Sequence, residues 1–282
     1  MLEYVPARRG LKLRTRFARR MARRAGKAAL SPDQPRAIQR KRLDKAGDLM
    51  PAKDVSVAAR EIASLAALDF TPARARPGRL LYFHGGGYSR GSAQSHKAFV
   101  SRLSAATGLK ALSVDYRLAP EHPCPAAVED AVAAYTALRG ESDERIVMAG
   151  DSAGGGLALS ACVRLRAAGE TLPDALVLFS PWTDLTMSGD SAQSRDGVDP
   201  MLKTAYLKAG AELYLDGLDP ADPVASPLFA DLSGLPPVFI QAGRDEVLLD
   251  DSVRLHDRLE AAGVPVRCEI WEGMWHDFQM FA

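Results

Sequence analysis

Several things are scarce in this 282-residue chain, and each scarcity excludes something. No run of about eighteen apolar residues occurs, so no membrane-spanning helix and no stable membrane insertion are expected. The first ten residues carry charge without a following apolar stretch, which argues against a secretory leader and for a cytoplasmic protein. Cysteine is limited to Cys124, Cys162 and Cys268, an odd number without a C-x-x-C pair, so the expectation is free buried thiols rather than a disulfide framework or a metal site. No internal repeat or low-complexity segment is evident. Overall charge is also nearly absent, at +1, but it is unevenly spread: residues 1–45 hold 15 Lys and Arg against 3 Asp and Glu, and the remainder holds 21 against 32. The two halves of the charge are expected to meet. What is present, 47% apolar and 25% charged residues, is the composition of a globular protein long enough for one large α/β domain with a satellite.

Residues 11–25 place Leu13, Phe17 and Met21 on one helical stripe and surround it with arginine. This basic amphipathic helix could lie on the acidic remainder of the chain, on a membrane surface or on nucleic acid. The first is preferred, because the apolar stripe suits a local groove and the downstream acid supplies a partner, so no nucleic-acid partner is expected. Ser31, Pro32 and Asp33 read as the cap and first turn of a second helix extending to about residue 48.

From residue 55 the texture changes to short apolar runs. Residues 55–62 and 65–70 read as antiparallel strands, although the alanine-rich stretch between Glu61 and Asp69 suggests irregular ones; residues 71–78 read as a loop. A strand at 79–83 then ends in His84, Gly85, Gly86, Gly87 and Tyr88. Successive glycines are entropically costly, which suggests that the backbone there approaches something closely. Helices at 94–107, 126–138, 157–168 and 250–262 alternate with strands at 110–116, 145–149, 175–179, 238–241 and 266–271. Such alternation implies right-handed crossovers and a mostly parallel sheet. Residues 183–218 break it, with a helix-like stretch at 203–214, and read as an insertion over the active face.

Gly150, Asp151, Ser152, Ala153 and Gly154 lie between a strand and a helix. A serine in so tight a strand-to-helix turn must adopt a strained backbone, and small residues two before and two after it let strand and helix pass. A serine hydroxyl needs a base, and the base needs an orienting acid. Among the five histidines only His276 follows the last strand in a carboxyl-end loop; His84, His96, His122 and His256 read as satisfied polar residues. Asp245 follows the strand at 238–241 and reads as the acid, with Glu246, Asp250, Asp251 and Asp277 nearby and the middle pair resembling a helix cap.

Taken together, His84-Gly85-Gly86-Gly87, the run from Asp115 to Glu121, Gly150 to Gly155, the run from Ser180 to Asp184, Asp245 and His276 resemble the hormone-sensitive-lipase-like bacterial esterases, known as family IV. The resemblance spans about residue 55 to the end. It implies an α/β-hydrolase core at 55–184 and 216–282, flanked by helices. It also implies a helical cap built from residues 1–54 and the insertion at 185–215. Members usually carry a helix after the catalytic histidine where this chain has six residues, so the expectation is either an exposed apolar groove there or a truncated chain.

The implied activity is hydrolysis of short- to medium-chain acyl esters of small molecules. Ser152 would be the nucleophile, His276 the base and Asp245 its orienting acid. The N–H groups of Gly85, Gly86 and Ala153 would receive the oxyanion, with no metal or organic cofactor. Tyr88, Trp182, Tyr206 and Tyr214 are candidates to line the acyl site. A receptor-like ligand binder, an amidase or a lactonase would keep much of the same pattern. An exposed edge strand at 266–271 could support a homodimer.

Overall fold

The structure, a computed structural model, describes residues 1–6, 12–30 and 34–281. The chain begins with β1 (Leu2–Val5), α1 (Lys12–Ala29) and α2 (Arg36–Ala46), followed by β2 (Val55–Ile62), β3 (Leu65–Pro72) and β4 (Arg76–Phe83). Alternation then sets in with α3 (Lys97–Thr107), β5 (Leu109–Val114), α4 (Ala126–Glu141), β6 (Ile146–Asp151), α5 (Ala153–Ala167) and β7 (Ala175–Phe179). The insertion supplies α6 (Ser191–Ser194) and α7 (Thr204–Leu215), and β8 (Val238–Gly243), α8 (Leu249–Ala261) and β9 (Val266–Trp271) complete the alternation. The expected cap at Ser31, Pro32 and Asp33 and the side chain of Leu13 lie outside the described residues.

One nine-stranded sheet runs in the order β1-β9-β8-β7-β6-β4-β5-β3-β2. All neighbours are parallel except β2–β3 and β3–β5, which are antiparallel. This is the α/β-hydrolase architecture, and its central strands are apolar almost throughout because helices cover both faces. The period of two divides their side chains cleanly. Leu81, Phe83 and Met148 join α4 and α5 in one core layer, while Leu80, Tyr82 and Ala149 join Phe99 and Val100 of α3 in the other.

Several boundaries differ from the sequence expectation, each for a tertiary reason. β2 and β3 are regular despite their alanines: eight pairs form from Val55↔Pro72 to Ile62↔Leu65, closed by Ala63 and Ser64 at φ of 49° and 63°. The two-residue turn with positive φ matches strand twist, and β5 secures the other edge of β3. β4 starts at Arg76 rather than at Arg79, with a register shift between them that Gly78 accommodates at φ 115°. α5 starts directly after Ser152 rather than at Leu157, so three glycines are helical against their propensity. Close packing explains it: a Cβ on Gly156 would sit 2.1 Å from the Trp182 carbonyl.

The edge expected at β9 is covered. β1 pairs parallel with it from Leu2↔Cys268 to Val5↔Trp271, so β9 is not the surface that a second copy could extend. Among the described residues no helix is long and apolar enough to cross a membrane, and the three thiols are free, with Cys162 and Cys268 buried.

The basic N-terminal helices rest on the body of the protein, as the charge split suggested. Arg40 of α2 grips both oxygens of Glu121 at 2.9 and 2.8 Å and also donates to the Ala119 carbonyl. α1 buries Ala22 and Gly26, and the turn after it buries Leu30; a Cβ on Gly26 would lie 2.3 Å from the Met201 carbonyl, so α1 and the insertion touch backbone to backbone. The Phe17–Met21 stripe is not sealed in this contact: the two side chains remain 69% and 42% exposed.

Candidate functional site

Ser152 sits at the carboxyl end of β6, between strand and helix, with φ 52° and ψ −121°. That conformation is costly for a residue with a side chain, and the flanking glycines show why nothing else fits. A Cβ on Gly150 would lie 2.3 Å from the Gly154 carbonyl, and one on Gly154 would lie 2.0 Å from the Phe83 carbonyl. The turn is held from outside by Ser152 N–H to the Phe179 carbonyl (2.9 Å) and by Trp182 N–H to the Ser152 carbonyl (2.8 Å).

Beneath the serine, Asp151 organises the glycine turn. Its Oδ1 accepts from the Tyr82 hydroxyl at 2.5 Å and from the Gly85 N–H at 3.0 Å, and its Oδ2 lies 3.2 Å from His96 Nε2. Burial pushes the Asp151 carboxyl up, but His96 and the Tyr82 hydrogen bond outweigh it and hold it below the usual carboxylate range. His96 is the mirror image, pulled down by burial and carried above its ordinary value by Asp151. His84 stacks on Tyr116, with ring centroids 4.2 Å apart, and burial drops its pKa to about 3, so it stays neutral. One expectation is corrected here: the Gly85 N–H is already taken by Asp151 and is not available to an oxyanion. The described residues hold no acceptor for the N–H groups of Gly86 and Gly87, and Ala153, as the first residue of α5, has none by position.

His276 lines the same cavity as Ser152 and is 1% exposed. Its Nε2 lies 3.0 Å from Asp277 Oδ2, and its Nδ1 is buried without a partner. Burial lowers its pKa, but Asp277, Glu246 and Asp199 together raise it to about 9. Asp245 does not meet it. The Asp245 carboxylate instead pairs with Arg19 of α1 at 2.8 Å, with its side chain 25% exposed. The next residue, Glu246, turns inward and is fully buried. Its Oε2 accepts from the Ser180 hydroxyl at 2.7 Å and the Gly243 N–H at 2.9 Å, while its Oε1 has no partner. Burial lifts Glu246 to about 8, against the pull of His276.

Two buried groups, Glu246 Oε1 and His276 Nδ1, thus each lack one hydrogen bond, and the charge of each pulls on the pKa of the other. The Ser180 hydroxyl ties their loops together, donating to Glu246 and accepting from the Asp277 N–H at 3.2 Å. Sequence reasoning passed over Glu246 because two consecutive carboxylates follow β8, and nothing in their order says which one faces inward. Asp250 and Asp251 are structural: Asp250 accepts from the Ser191 N–H and Asp251 from the N–H groups of Thr183 and Asp184.

Above Ser152 opens a cavity of about 420 Å³. Phe17 and Met21 of α1, Leu43 of α2 and Leu202, Tyr206 and Leu207 of the insertion line it opposite the glycine turn. Tyr206, a candidate for the acyl site, is among the residues that line this cavity. Tyr88, Trp182 and Tyr214 are not: all three are at most 1% exposed, and Tyr88 stacks on Tyr214 with centroids 3.8 Å apart. They form the packed floor behind the glycine turn, because large aromatic rings gain more from full burial than from lining an open cavity.

Known proteins give the arrangement its context. A family model described as the alpha/beta hydrolase fold matches residues 80–280. An acetyl-hydrolase of Streptomyces hygroscopicus is 50% identical over 207 residues, covering 73% of this chain and 69% of that protein. An esterase of Acinetobacter venetianus is 42% identical over 205 residues, covering 72% and 68%. Among solved structures, an esterase from the bacterial hormone-sensitive lipase family superposes with a TM-score of 0.90 at 39% identity, covering 95% of this chain and 91% of its own.

Proposed function

Because the chain belongs to the hormone-sensitive-lipase-like esterases of the α/β-hydrolase fold, we propose that it is a serine carboxylesterase acting on short- to medium-chain acyl esters through an acyl-enzyme. The observation that carries the reading is a strained Ser152 facing a cavity that also holds His276. Ser152 loses its proton to His276 and attacks the ester carbonyl; the alcohol leaves with that proton, and water repeats the attack on the acyl-enzyme. Gly86, Gly87 and Ala153 supply the N–H groups for the oxyanion, Gly85 being occupied by Asp151.

In this reading the orienting acid is Glu246 rather than Asp245. Rotation of the His276 ring toward Glu246 satisfies both orphaned atoms at once and frees Nε2 for Ser152. Residues 1–54 and 185–215 act as a cap, and the cavity they roof, about 420 Å³ and largely apolar in its lining, suits a short acyl chain better than a long one. Neither a metal nor an organic cofactor enters these steps.

Hydrolysis of p-nitrophenyl esters of increasing acyl length, run beside Ser152→Ala, tests the reading. Activity is expected to be highest on short chains and absent in the variant. No activity from folded intact protein would replace it with a ligand-binding role.

A further inference from the structure

Arg19 lies on α1, more than two hundred residues before either loop of the proposed acid and base, yet it contacts both. Its Nη1 donates to Asp245 Oδ2 at 2.8 Å and to the Gly273 carbonyl at 3.5 Å, and its Nη2 donates to the Val198 carbonyl at 2.6 Å. The guanidinium also lies over the Trp275 ring, 5.9 Å from its centroid. One side chain therefore holds three segments: the loop after β8, the loop after β9 and the insertion. Asp245 immediately precedes Glu246, and Trp275 immediately precedes His276. The backbones of the two loops are joined at the same place, Asp245 N–H donating to the Met274 carbonyl at 2.8 Å.

We propose that Arg19 is a positioning residue: it latches α1 onto the loops of Glu246 and His276, so that roofing the cavity and aligning acid with base happen together. The inference rests on the reading of Glu246 as the triad acid. Three features support it. The same helix carries Phe17, Ala18 and Met21, which line the cavity, so whatever holds Arg19 also holds the roof. A planar fork can serve carboxylate, carbonyl and ring together, which a lysine cannot. And the Arg19–Asp245 pair is partly buried, its side chains 27% and 25% exposed, so the fork is held in one geometry against both loops. It also gives Asp245 a role, as the counter-ion of the latch.

The test measures kcat and KM on p-nitrophenyl butyrate for Arg19→Ala, Arg19→Lys, Asp245→Asn, Glu246→Gln and the double variant Arg19→Ala/Asp245→Asn. Arg19→Ala and Asp245→Asn are each expected to lower kcat/KM by about 10- to 100-fold, the scale of a misplaced catalytic group. The double variant should be no worse than the worse single one, because both remove one shared contact. Arg19→Lys should recover a minor part of the loss. Free guanidinium at tens of millimolar should restore part of the activity of Arg19→Ala and none in the double variant, which separates positioning from a general loss of fold. Arg19→Ala within twofold of the parent, losses that multiply in the double variant, or an Arg19→Ala enzyme indifferent to guanidinium would overturn the proposal. Glu246→Gln keeps the underlying reading separate. If it stays active while Asp245→Asn loses about a thousandfold or more, Asp245 is the acid and the triad reading fails. If Glu246→Gln is the inactive variant and Arg19→Ala is not impaired, only the latch fails.

Discussion

Two buried carboxylate–histidine clusters flank Ser152, and they differ in how completely they are satisfied. Below the serine, both oxygens of Asp151 are engaged, by Tyr82, Gly85 and His96. Beside it, Glu246, His276 and Asp277 each keep one buried atom without a partner. Full satisfaction makes the first cluster a brace: it holds the glycine turn and has no capacity left for substrate. Open valences are costly in a buried site, and on the proposed function the second cluster keeps them where a proton moves. Residue types alone would not separate the two, since both pair an aspartate with a histidine.

The sharpest way to break this comparison is at the serine between the clusters. Ser152→Ala is expected to lower kcat by roughly 10⁴-fold or more, with loss of labelling by a fluorophosphonate probe. Glu246→Gln should follow with a loss of about 10³- to 10⁴-fold, read as kcat on p-nitrophenyl butyrate, if the open cluster is the reacting one.

Asp151→Asn should behave differently, because it breaks a brace rather than a proton path. A loss of about 3 to 5 kcal/mol in unfolding free energy is expected by denaturant titration, the cost of leaving a buried partner uncompensated. The pH dependence has a defined sign. Asp151 has a lowered pKa, so its contribution is present above the ordinary carboxylate range and fades as pH falls through its folded value. His96 has a raised pKa, so its contribution is full below its ordinary value and fades as pH rises through the folded one. Stability from the pair should therefore peak between about pH 4 and 6.5, and Asp151→Asn should flatten that peak.

The open cluster shows its charge in the rate profile. The proposed base, His276, must be neutral to act, and its pKa is raised to about 9, so kcat/KM should climb toward alkaline pH. Asp277→Asn removes one of the carboxylates responsible and should move that limb toward lower pH. The smallest effect is expected at the cavity wall: Tyr206→Ala should shift the preferred acyl length with changes of about 3- to 10-fold between neighbouring esters, measured as ratios of kcat/KM.

Much of the fold was legible because its signals are local. Apolar runs such as 175–179 and 266–271 became strands with the same bounds. The glycine turn and the glycine-flanked serine were found because their backbone geometry admits few residue types. The sequence is silent where a side chain had to choose a direction. Asp245 and Glu246 are alike in type and one residue apart, and burial decided between them. Gly85 has a neighbour with an identical donor, and only the nearby Asp151 oxygen shows which N–H is spent. Tyr88, Trp182 and Tyr214 had the right composition for a pocket wall, but they pack against each other instead. The covering of β9 by β1 could not be read at all, since four residues at a chain start carry too little periodicity to name a partner.

By itself the sequence determined that a serine would sit in a strained turn between strand and helix, that glycines would crowd beside it, and that a histidine would follow the last strand, because each is a constraint on the backbone of a few adjacent residues. Tertiary structure alone decided which of the two neighbouring carboxylates is buried, which amide groups remain free and which helix lines the cavity. Those outcomes depend on which polar atoms burial leaves unpaired, and that is settled only when distant segments such as α1, the loop after β8 and the loop after β9 come together.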